Sequence, residues 1–298
     1  MIVDFLSELP AIKELRKENL SLNENVLCAG REGVVRLVVL NIMPVKQEAE
    51  LDFLRLFANY PANYEITFLH ISSHKSKNTS QEHIDKFYVN FSDIKENFFD
   101  GMVITGAPLE FLDFEDVNYW GEITQIMQWG LTNVKSVINV CWAAQAALYH
   151  FFGISKQILP AKIFGLFRHS INAEDNLVEG LQNGFIMPHS RHSEVSLEDC
   201  EKAEGIEVLV SSDMAGVCVL KATNLNQVFV TGHAEYSMQR LDQEYKRDLG
   251  KGDDIAKPYN YYTDDDPEKG INYLWSSSAC RLYSNWLEYY VCGNAHDN

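Results

Sequence analysis

The feature that most constrains this chain is an alternation between short apolar runs rich in β-branched residues and longer segments with helical spacing of apolar residues. In the first half, the apolar runs are residues 34–40, 64–70, 101–105 and 136–140. The segments with helical spacing are residues 48–57, 81–88 and 115–131. This alternation is typical of a parallel sheet covered by helices. The sequence therefore predicts an α/β fold with a mostly parallel sheet flanked by helices.

The second half of the chain has a different pattern. Its short apolar runs, separated by turn residues, are residues 206–210, 217–221 and 227–230. Such closely spaced runs indicate antiparallel or mixed strands. The remaining predicted segments are a helix at 237–249, a polar loop at 250–270 and an aromatic-rich closing helix at 280–291.

The chain has no internal repeat and no linker long enough to divide it. We therefore expect one domain over 1–298. An N-terminal extension at 1–33 and a C-terminal loop and helix at 250–298 are expected to pack on it.

The charge balance limits the classes of partner. The chain has 25 Lys and Arg against 42 Asp and Glu, a formal net charge of −17, which repels a long phosphate backbone and excludes nucleic acid as a partner. A small anionic substrate would need a local basic pocket. No stretch approaches the roughly 20 apolar residues that span a bilayer, so we expect no membrane association and a cytoplasmic location.

The pattern of cysteines and histidines gives no sign of a metal site. Six cysteines are scattered without a C-x-x-C pair, which argues against disulfides and a cysteine-based zinc site. His189 and His192 lie three residues apart in a segment that suggests a polar loop or a structural hydrogen-bond cluster. No HExxH helix, phosphate loop or GxGxxG fingerprint is present, so neither a bound metal nor a nucleotide cofactor is expected.

Three residues could form a catalytic group. Cys141 stands where strand 136–140 runs into an alanine-rich helical segment, and a helix N-terminus lowers the pKa of a thiol. His233 and Glu235 follow another strand; in extended chain, residues two apart project to the same side, so Glu235 could orient the imidazole. The residues alone leave two interpretations open, a nucleophile with its base or a packed thiol with a structural histidine.

Several longer motifs are similar to one family. They are 41–46 (NIMPVK), 76–79 (SKNT), 105–109 (TGAPL), 140–147 (VCWAAQAA), 188–191 (PHSR), 230–233 (VTGH) and 284–287 (SNWL). In this order they resemble the homoserine O-acyltransferases related to homoserine O-succinyltransferase, over nearly the whole chain. The resemblance implies a fold like class I glutamine amidotransferases, which is flavodoxin-like. It also implies a triad of Cys141 as nucleophile, His233 as base and Glu235 as its orienting carboxylate.

The resemblance implies an activity as well. An acetyl group would pass from acetyl-CoA to Cys141 and then, in a ping-pong reaction, to the side-chain hydroxyl of L-homoserine, a step of methionine biosynthesis. It favours a homodimer that needs no cofactor.

Further site residues follow from the same resemblance, grouped by role. Oxyanion donors are expected near Trp142, Gly106 and Ala107. The acceptor pocket is expected to contain Lys162, Ser190, Glu244 and Arg247, with Arg247 gripping the amino-acid carboxylate. Lys46 is expected on the CoA or acyl side, and Glu110 is expected to select acetyl over succinyl through charge and bulk. For Glu244 and Arg247 the residues alone favour an ion pair on an exposed helix face.

Departures from the family pattern leave the acceptor open. Gly-His-Pro-Glu-Tyr-Asp of the family is replaced here by 232–237 (GHAEYS), and Trp-Arg-Ser-His by 275–278 (WSSS). These changes leave L-serine as an alternative acceptor, because pockets discriminate one methylene by only about 1–3 kcal/mol. The sequence is also compatible with a succinyl-CoA-using transacylase, an inactive binding protein or a glutamine amidotransferase. The amidotransferase is disfavoured because Cys141 does not lie between glycines.

Overall fold

The computed structural model describes residues 8–20, 33–252 and 255–293. Its strands in these ranges are β1 (Val34–Leu40), β2 (Asn63–Leu69), β3 (Tyr88–Val89), β4 (Phe99–Ile104), β5 (Val134–Val140), β6 (Lys156–Ile171), β7 (Phe185–Val195), β8 (Ile206–Ser212), β9 (Gly216–Ala222) and β10 (Gln227–Val230). They form one sheet in the order β3-β2-β1-β4-β5-β10-β9-β8-β6-β7.

The sheet has a parallel half and an antiparallel half. The six strands from β3 to β10 in that order are parallel. From β10 onward, each strand pairs antiparallel with the next, through β9, β8, β6 and β7. The prediction of a mostly parallel sheet flanked by helices is confirmed, and so is that of antiparallel or mixed strands in the second half.

Helices cover both faces of the sheet. They are α1 (Pro10–Lys17), α2 (Lys46–Phe57), α3 (Gln81–Phe87), α4 (Phe91–Ile94), α5 (Trp120–Asn133), α6 (Trp142–Phe152), α7 (Leu197–Lys202), α8 (Arg240–Gly250), α9 (Ser276–Asn285) and a π-helix (Trp286–Cys292). In β1, Leu37 and Val39 belong to one hydrophobic cluster, whereas Val38 and Leu40 belong to another. This period of two places the two clusters on opposite faces of the sheet.

The C-terminal segment packs tightly on one face. A Cβ atom at Gly101 of β4 would lie 2.8 Å from a methyl carbon of Leu37 and 2.9 Å from Trp286 Cη2. Only a glycine allows Trp286 to approach the sheet this closely, and the indole Nε1–H donates to Ser136 Oγ over 3.0 Å. The π-helix is therefore part of the core.

Two predicted helices have wrong boundaries. The helix at 115–131 divides into a 3₁₀ turn, Phe114–Asp116, and α5, because Val117 between them is extended and its side chain is buried in the core. The closing helix starts earlier than residue 280, at Ser276, and becomes a π-helix at Trp286. The helix predicted at 237–249 is α8, and the loop at 250–270 contains short 3₁₀ turns.

The hairpin of β6 and β7 has no clear signal in the sequence. A proline interrupts each of these histidine-containing strands, at Pro160 in β6 and Pro188 in β7, and Gly165 also lies inside β6, which hides strand alternation. In the structure, residues 188–192 lie in β7, so the interpretation of this segment as a loop is wrong. Part of the predicted N-terminal extension, at 1–7 and 21–32, lies outside the described residues. In the described part, no helix combines the length and hydropathy needed to cross a bilayer.

Candidate active site

Cys141 lies in a sharp turn between β5 and α6. Its backbone has φ 52° and ψ −112°, a left-handed conformation that costs a non-glycine residue energy and that occurs at functional sites. The backbone N–H donates to the carbonyl of Val230, the last residue of β10, over 2.7 Å. The turn holds the thiol, whose residue is only 4% exposed, at the carboxyl end of the sheet beside β10.

The next strand supplies the histidine and the glutamate. Val230 of β10 pairs with Val140 of β5, so the residues after these two strands are neighbours. His233 Nδ1 lies 2.7 Å from Glu235 Oε1, and the Cys141 sulfur is close enough to His233 to raise the pKa of the imidazole. The structure thus brings Cys141, His233 and Glu235 together in the order that a thiol, base and orienting carboxylate require.

The charges around His233 favour its protonated form. Burial, the largest effect, lowers the pKa of His233, but the Cys141 sulfur and the Glu235 carboxylate together raise it well above 6.5. An imidazolium in this position stabilises a thiolate on Cys141 as an ion pair. Glu235 Oε2 is buried without a hydrogen-bond partner, so Oε1 carries the contact with the imidazole.

A buried arginine adds positive charge near the thiol. Arg191 is 1% exposed, and its Nη1 donates to the carbonyl of Ser193 over 2.7 Å. Its Nε has no hydrogen-bond partner, and Glu194 Oε2 is 3.8 Å from Nη1. Burial, the largest effect, lowers the pKa of Arg191, whereas electrostatic interactions with Cys141 and Glu194 act in the opposite direction. A cation in such a place favours a thiolate.

Gly106, two residues after the end of β4, lies beside Cys141. A Cβ atom on Gly106 would lie 3.3 Å from Cys141 Cβ and 3.6 Å from His233 Cε1. The missing side chain leaves space beside the sulfur for a carbonyl group. Trp142 opens α6, so its backbone N–H has no carbonyl one turn earlier in the helix to bond with. The predicted oxyanion region at Trp142, Gly106 and Ala107 thus lies at the carboxyl ends of β4 and β5.

The four residues predicted for the acceptor pocket gather between β6, β7 and α8. Ser190 Oγ donates to Glu244 Oε2, and Lys162 Nζ lies 3.8 Å from the same oxygen. Lys162 Nζ also donates to Asp248 Oδ2 over 3.2 Å. Helix α8 therefore presents Glu244 and Asp248 to two strands of the hairpin.

Arg247 completes this cluster in a form that the sequence does not predict. Its Nε and Nη2 donate to the two carboxylate oxygens of Asp248 over 2.7 and 3.1 Å. Burial raises the pKa of Asp248, but Arg247 and Lys162 outweigh it and lower the value to about 2. One edge of the guanidinium thus already holds a carboxylate, and the side chain is 54% exposed. The ion pair joins Arg247 to Asp248, not to Glu244.

A cleft of about 690 Å³ opens at the carboxyl ends of β1, β2 and β4. Its basic lining residues are Lys46, His70, His74, Lys75 and Lys77. This is a local basic pocket in a chain of net charge −17. Burial, opposed by Glu50, lowers the pKa of Lys46 to about 8.

Glu110 follows Leu109, which lines the same cleft. It is partly exposed, and its backbone carbonyl accepts from Lys156 Nζ over 2.8 Å. The segment that carries Glu110 therefore borders the cleft.

Buried His169, His189 and Cys218 have ligand atoms within 4.8 Å of one another. The two Nε2 atoms are 3.0 Å apart and share one hydrogen bond, and burial lowers the pKa of His169 to about 4. A pair of neutral histidines accounts for this geometry, which agrees with the structural hydrogen-bond interpretation of His189.

Two residues of the site have no role that sequence reasoning assigns. Arg191 belongs to the motif at 188–191 without a predicted function, and Tyr236 has none either, although its ring stacks on His233. The one available signal is position, since Tyr236 directly follows Glu235.

Comparisons with known proteins agree with this fold. A glutamine amidotransferase from Thermotoga maritima aligns with 88% of this chain and 99% of its own, with a TM-score of 0.56 and 13% identity. One from Methylobacillus flagellatus aligns with 90% and 99%, with a TM-score of 0.54 and 12% identity. The fold is therefore class I glutamine amidotransferase-like, as predicted, and the carboxyl edge of its sheet carries a cysteine, a histidine and a glutamate side by side.

The sequence relatives are more specific. The profile of the family described as homoserine O-succinyltransferase matches residues 3–296. A homoserine O-acetyltransferase from Brevibacillus brevis is 46% identical over 98% of this chain and 96% of its own. Another, from Lachnospira eligens, is 45% identical over 98% of this chain and 94% of its own. This chain belongs to the homoserine O-succinyltransferase family and is an acyltransferase.

Proposed function

We propose that this protein transfers an acetyl group from acetyl-CoA to the side-chain hydroxyl of L-homoserine, through an acetyl-cysteine, in methionine biosynthesis. The observation that carries the proposal is the placement of Cys141 beside His233, itself held by Glu235, at the ends of two paired strands in a chain of this family. Relatives that match nearly the whole chain are named homoserine O-acetyltransferase. We further propose that the enzyme needs no cofactor or metal and acts as a cytoplasmic homodimer.

In the first half-reaction, the Cys141 thiolate attacks the thioester carbonyl of acetyl-CoA. Negative charge moves to the carbonyl oxygen, which accepts hydrogen bonds from backbone N–H groups at Trp142 and at Gly106 or Ala107. The tetrahedral adduct collapses, the carbon–sulfur bond to CoA breaks, and the His233 imidazolium gives its proton to the leaving thiolate. The products are acetyl-Cys141, free CoA and neutral His233.

In the second half-reaction, neutral His233 takes the proton of the acceptor hydroxyl. The oxygen attacks the acetyl carbonyl, the bond to Cys141 Sγ breaks, and the O-acetyl product leaves. This restores the thiolate and imidazolium pair, which the raised pKa of His233 favours at neutral pH.

The charges of the acceptor cluster suit an amino acid. Lys162 and Arg247 are cationic, whereas Glu244 and Asp248 are anionic, so the cluster offers both signs to a zwitterion. The acceptor ammonium would approach Glu244. Its carboxylate would bind Arg247 through the edge that Asp248 does not occupy. Ser190, bonded to Glu244, would limit the space for the side chain.

The basic cleft suits the phosphates of acetyl-CoA. Lys46 and its basic neighbours face a cleft whose wall, at Ala107 and Leu109, continues to Gly106 beside the thiol. Glu110, next along this wall, would repel the terminal carboxylate of a succinyl group and fill space that the longer chain needs. This favours acetyl-CoA as donor.

The test combines a substrate matrix with detection of the intermediate. Acetyl-CoA and succinyl-CoA are each combined with L-homoserine and L-serine, and thioester loss is followed by absorbance. Mass spectrometry after acetyl-CoA alone identifies the acetylated residue in wild type, Cys141→Ala and the control Cys280→Ala, which changes a partly exposed thiol on α9.

We expect the highest turnover with acetyl-CoA and homoserine. One acetyl group should appear on Cys141 in wild type and Cys280→Ala, and none in Cys141→Ala. Faster turnover with serine or succinyl-CoA would overturn the proposed acceptor or donor. Full turnover by Cys141→Ala would overturn the acetyl-cysteine intermediate, and the absence of thioester loss in every combination would overturn acyl transfer from these donors.

A further inference from the structure

Tyr236 joins the catalytic base to the acceptor cluster. Its ring lies almost parallel to the His233 imidazole, with centroids 4.1 Å apart and an angle of 19° between the planes. Its hydroxyl donates to Glu244 Oε1 over 2.7 Å. One side chain therefore touches both groups that must cooperate in the second half-reaction.

The ring is held in place from several directions. The residue is 4% exposed, its backbone N–H donates to the His233 carbonyl over 3.3 Å, and its carbonyl accepts from Trp275 Nε1 over 2.9 Å. With both backbone groups bonded and the hydroxyl tied to α8, the phenol has little freedom to leave the imidazole. The imidazole plane is thus fixed by Tyr236 on one face as well as by Glu235 at Nδ1.

The contact with Glu244 gives this ring a second effect. Glu244 Oε2 accepts from Ser190 and faces Lys162 at 3.8 Å, so both of its oxygens are engaged before any acceptor arrives. An acceptor ammonium that binds Glu244 must share it with these donors. When the Glu244 carboxylate moves to bind an acceptor, the hydrogen bond from the Tyr236 hydroxyl changes with it. Because the Tyr236 ring stacks on His233, the position of the imidazole is affected as well.

We propose that Tyr236 is a positioning residue that holds the His233 imidazole in plane and links its placement to acceptor binding through Glu244. This inference rests on the proposed function, because it assumes that Glu244 lies in the acceptor pocket. It predicts separate effects for the two parts of the side chain. The ring serves both half-reactions, whereas the hydroxyl serves only the second.

Two variants separate these parts, and a third is the control. Tyr236→Phe keeps the stacked ring and removes the hydroxyl, whereas Tyr236→Leu removes both. The matched control is Tyr262→Phe, because the Tyr262 hydroxyl also donates over 2.7 Å to a carboxylate of α8, that of Asp242. Acylation is measured as the rate of CoA release with acetyl-CoA alone, and transfer as KM and kcat/KM for homoserine.

For Tyr236→Phe we expect acylation within about twofold of wild type and a fall of about tenfold or more in kcat/KM for homoserine, carried mainly by KM. In Tyr236→Leu acylation should fall too, and the pH at which His233 loses its proton should shift downward, because an aromatic face no longer supports the imidazolium. Restoration of acylation and of the pH profile by phenylalanine at this position would assign both to the ring. Tyr262→Phe should match wild type.

An unchanged homoserine KM in Tyr236→Phe would overturn the link to Glu244, and so would an equal loss in Tyr262→Phe. Equal slowing of acylation and transfer in Tyr236→Phe would overturn the division of roles. If Tyr236→Leu does not fold, the comparison of Tyr236→Phe with Tyr262→Phe still decides the role of the hydroxyl. A failure of the proposed function would appear earlier, as wild-type enzyme that acetyl-CoA does not acylate.

Discussion

Replacement of Gly106 by alanine separates catalysis from stability at the predicted oxyanion region. The new methyl carbon would lie 3.3 Å from Cys141 Cβ and 3.6 Å from both His233 Cε1 and the Val140 carbonyl oxygen. The first contact is tight and the other two are ordinary van der Waals contacts, and Gly106 is not among the glycines with positive φ. The fold should accommodate the methyl group, but the methyl group should displace the acetyl carbonyl of bound acetyl-CoA.

The magnitude follows from the displacement of the reacting carbonyl. A methyl group beside the sulfur would move a bound carbonyl by about 1 Å, and a misplacement of this size costs about 10²-fold in rate, or about 2.7 kcal/mol of activation free energy. Overpacking costs about 1–3 kcal/mol of the free energy of unfolding. The smaller flexibility of alanine in the unfolded chain offsets about 0.4–1 kcal/mol of that cost.

The assay compares Gly106→Ala with Gly121→Ala. Gly121 lies in α5, and a Cβ atom there meets nothing within 4 Å, so this control should keep full activity and gain about 0.5–1 kcal/mol of stability. Acylation is measured by rapid quench with acetyl-CoA, and stability by urea unfolding. Acylation by Gly106→Ala within twofold of wild type would refute the placement of the carbonyl, whatever the change in the free energy of unfolding.

Three further predictions concern the substrate contacts. Arg247→Lys should raise the KM for homoserine about tenfold or more and leave acylation normal, because lysine lacks the guanidinium edge that Asp248 leaves free for the acceptor carboxylate. An unchanged KM would exclude Arg247 from the pocket. Glu110→Gly should raise succinyl-CoA turnover relative to acetyl-CoA at least about tenfold, or about 1.4 kcal/mol, and an unchanged donor ratio would contradict the role of Glu110. As pH rises through about 8, Lys46 should lose its proton, and the KM of the wild-type enzyme for acetyl-CoA should increase about fivefold. Lys46→Met should have a high KM for acetyl-CoA at every pH. A wild-type KM that does not change with pH would exclude Lys46 from donor binding.

The parallel half of the fold was predictable because its strands are buried on both faces. Residues of β1 such as Val38 and Val39 belong to clusters on opposite faces, so the strand reads as a continuous apolar run. The positions of Cys141 and His233 followed for the same reason, since each comes shortly after such a run and parallel strands end at one edge. Sequence spacing thus indicated that Cys141 and His233 lie close together at this edge.

No local pattern in the sequence predicts the acceptor cluster. Lys162, Ser190 and Glu244 come from three distant segments, and only the pairing of β6 with β7 and the packing of α8 bring them together. Their candidacy came from resemblance alone. The bidentate contact of Arg247 with the adjacent Asp248 could not be predicted from the sequence either, because it depends on side-chain conformations that helical spacing does not determine.

In the proposed mechanism, the pairing of β10 with β5 determines when Cys141 becomes reactive. Asn139 of β5 and Gln227 of β10 contact each other although they are 88 residues apart in the chain. At about 5–20 residues per second, a ribosome synthesises β10, which precedes His233, roughly 4–18 s after β5, which precedes Cys141. During that interval Cys141 has no imidazolium beside it and reacts as an ordinary thiol. The nascent chain therefore carries no activated nucleophile, and thioesters or oxidants in the cell meet one only after the sheet has closed around β10.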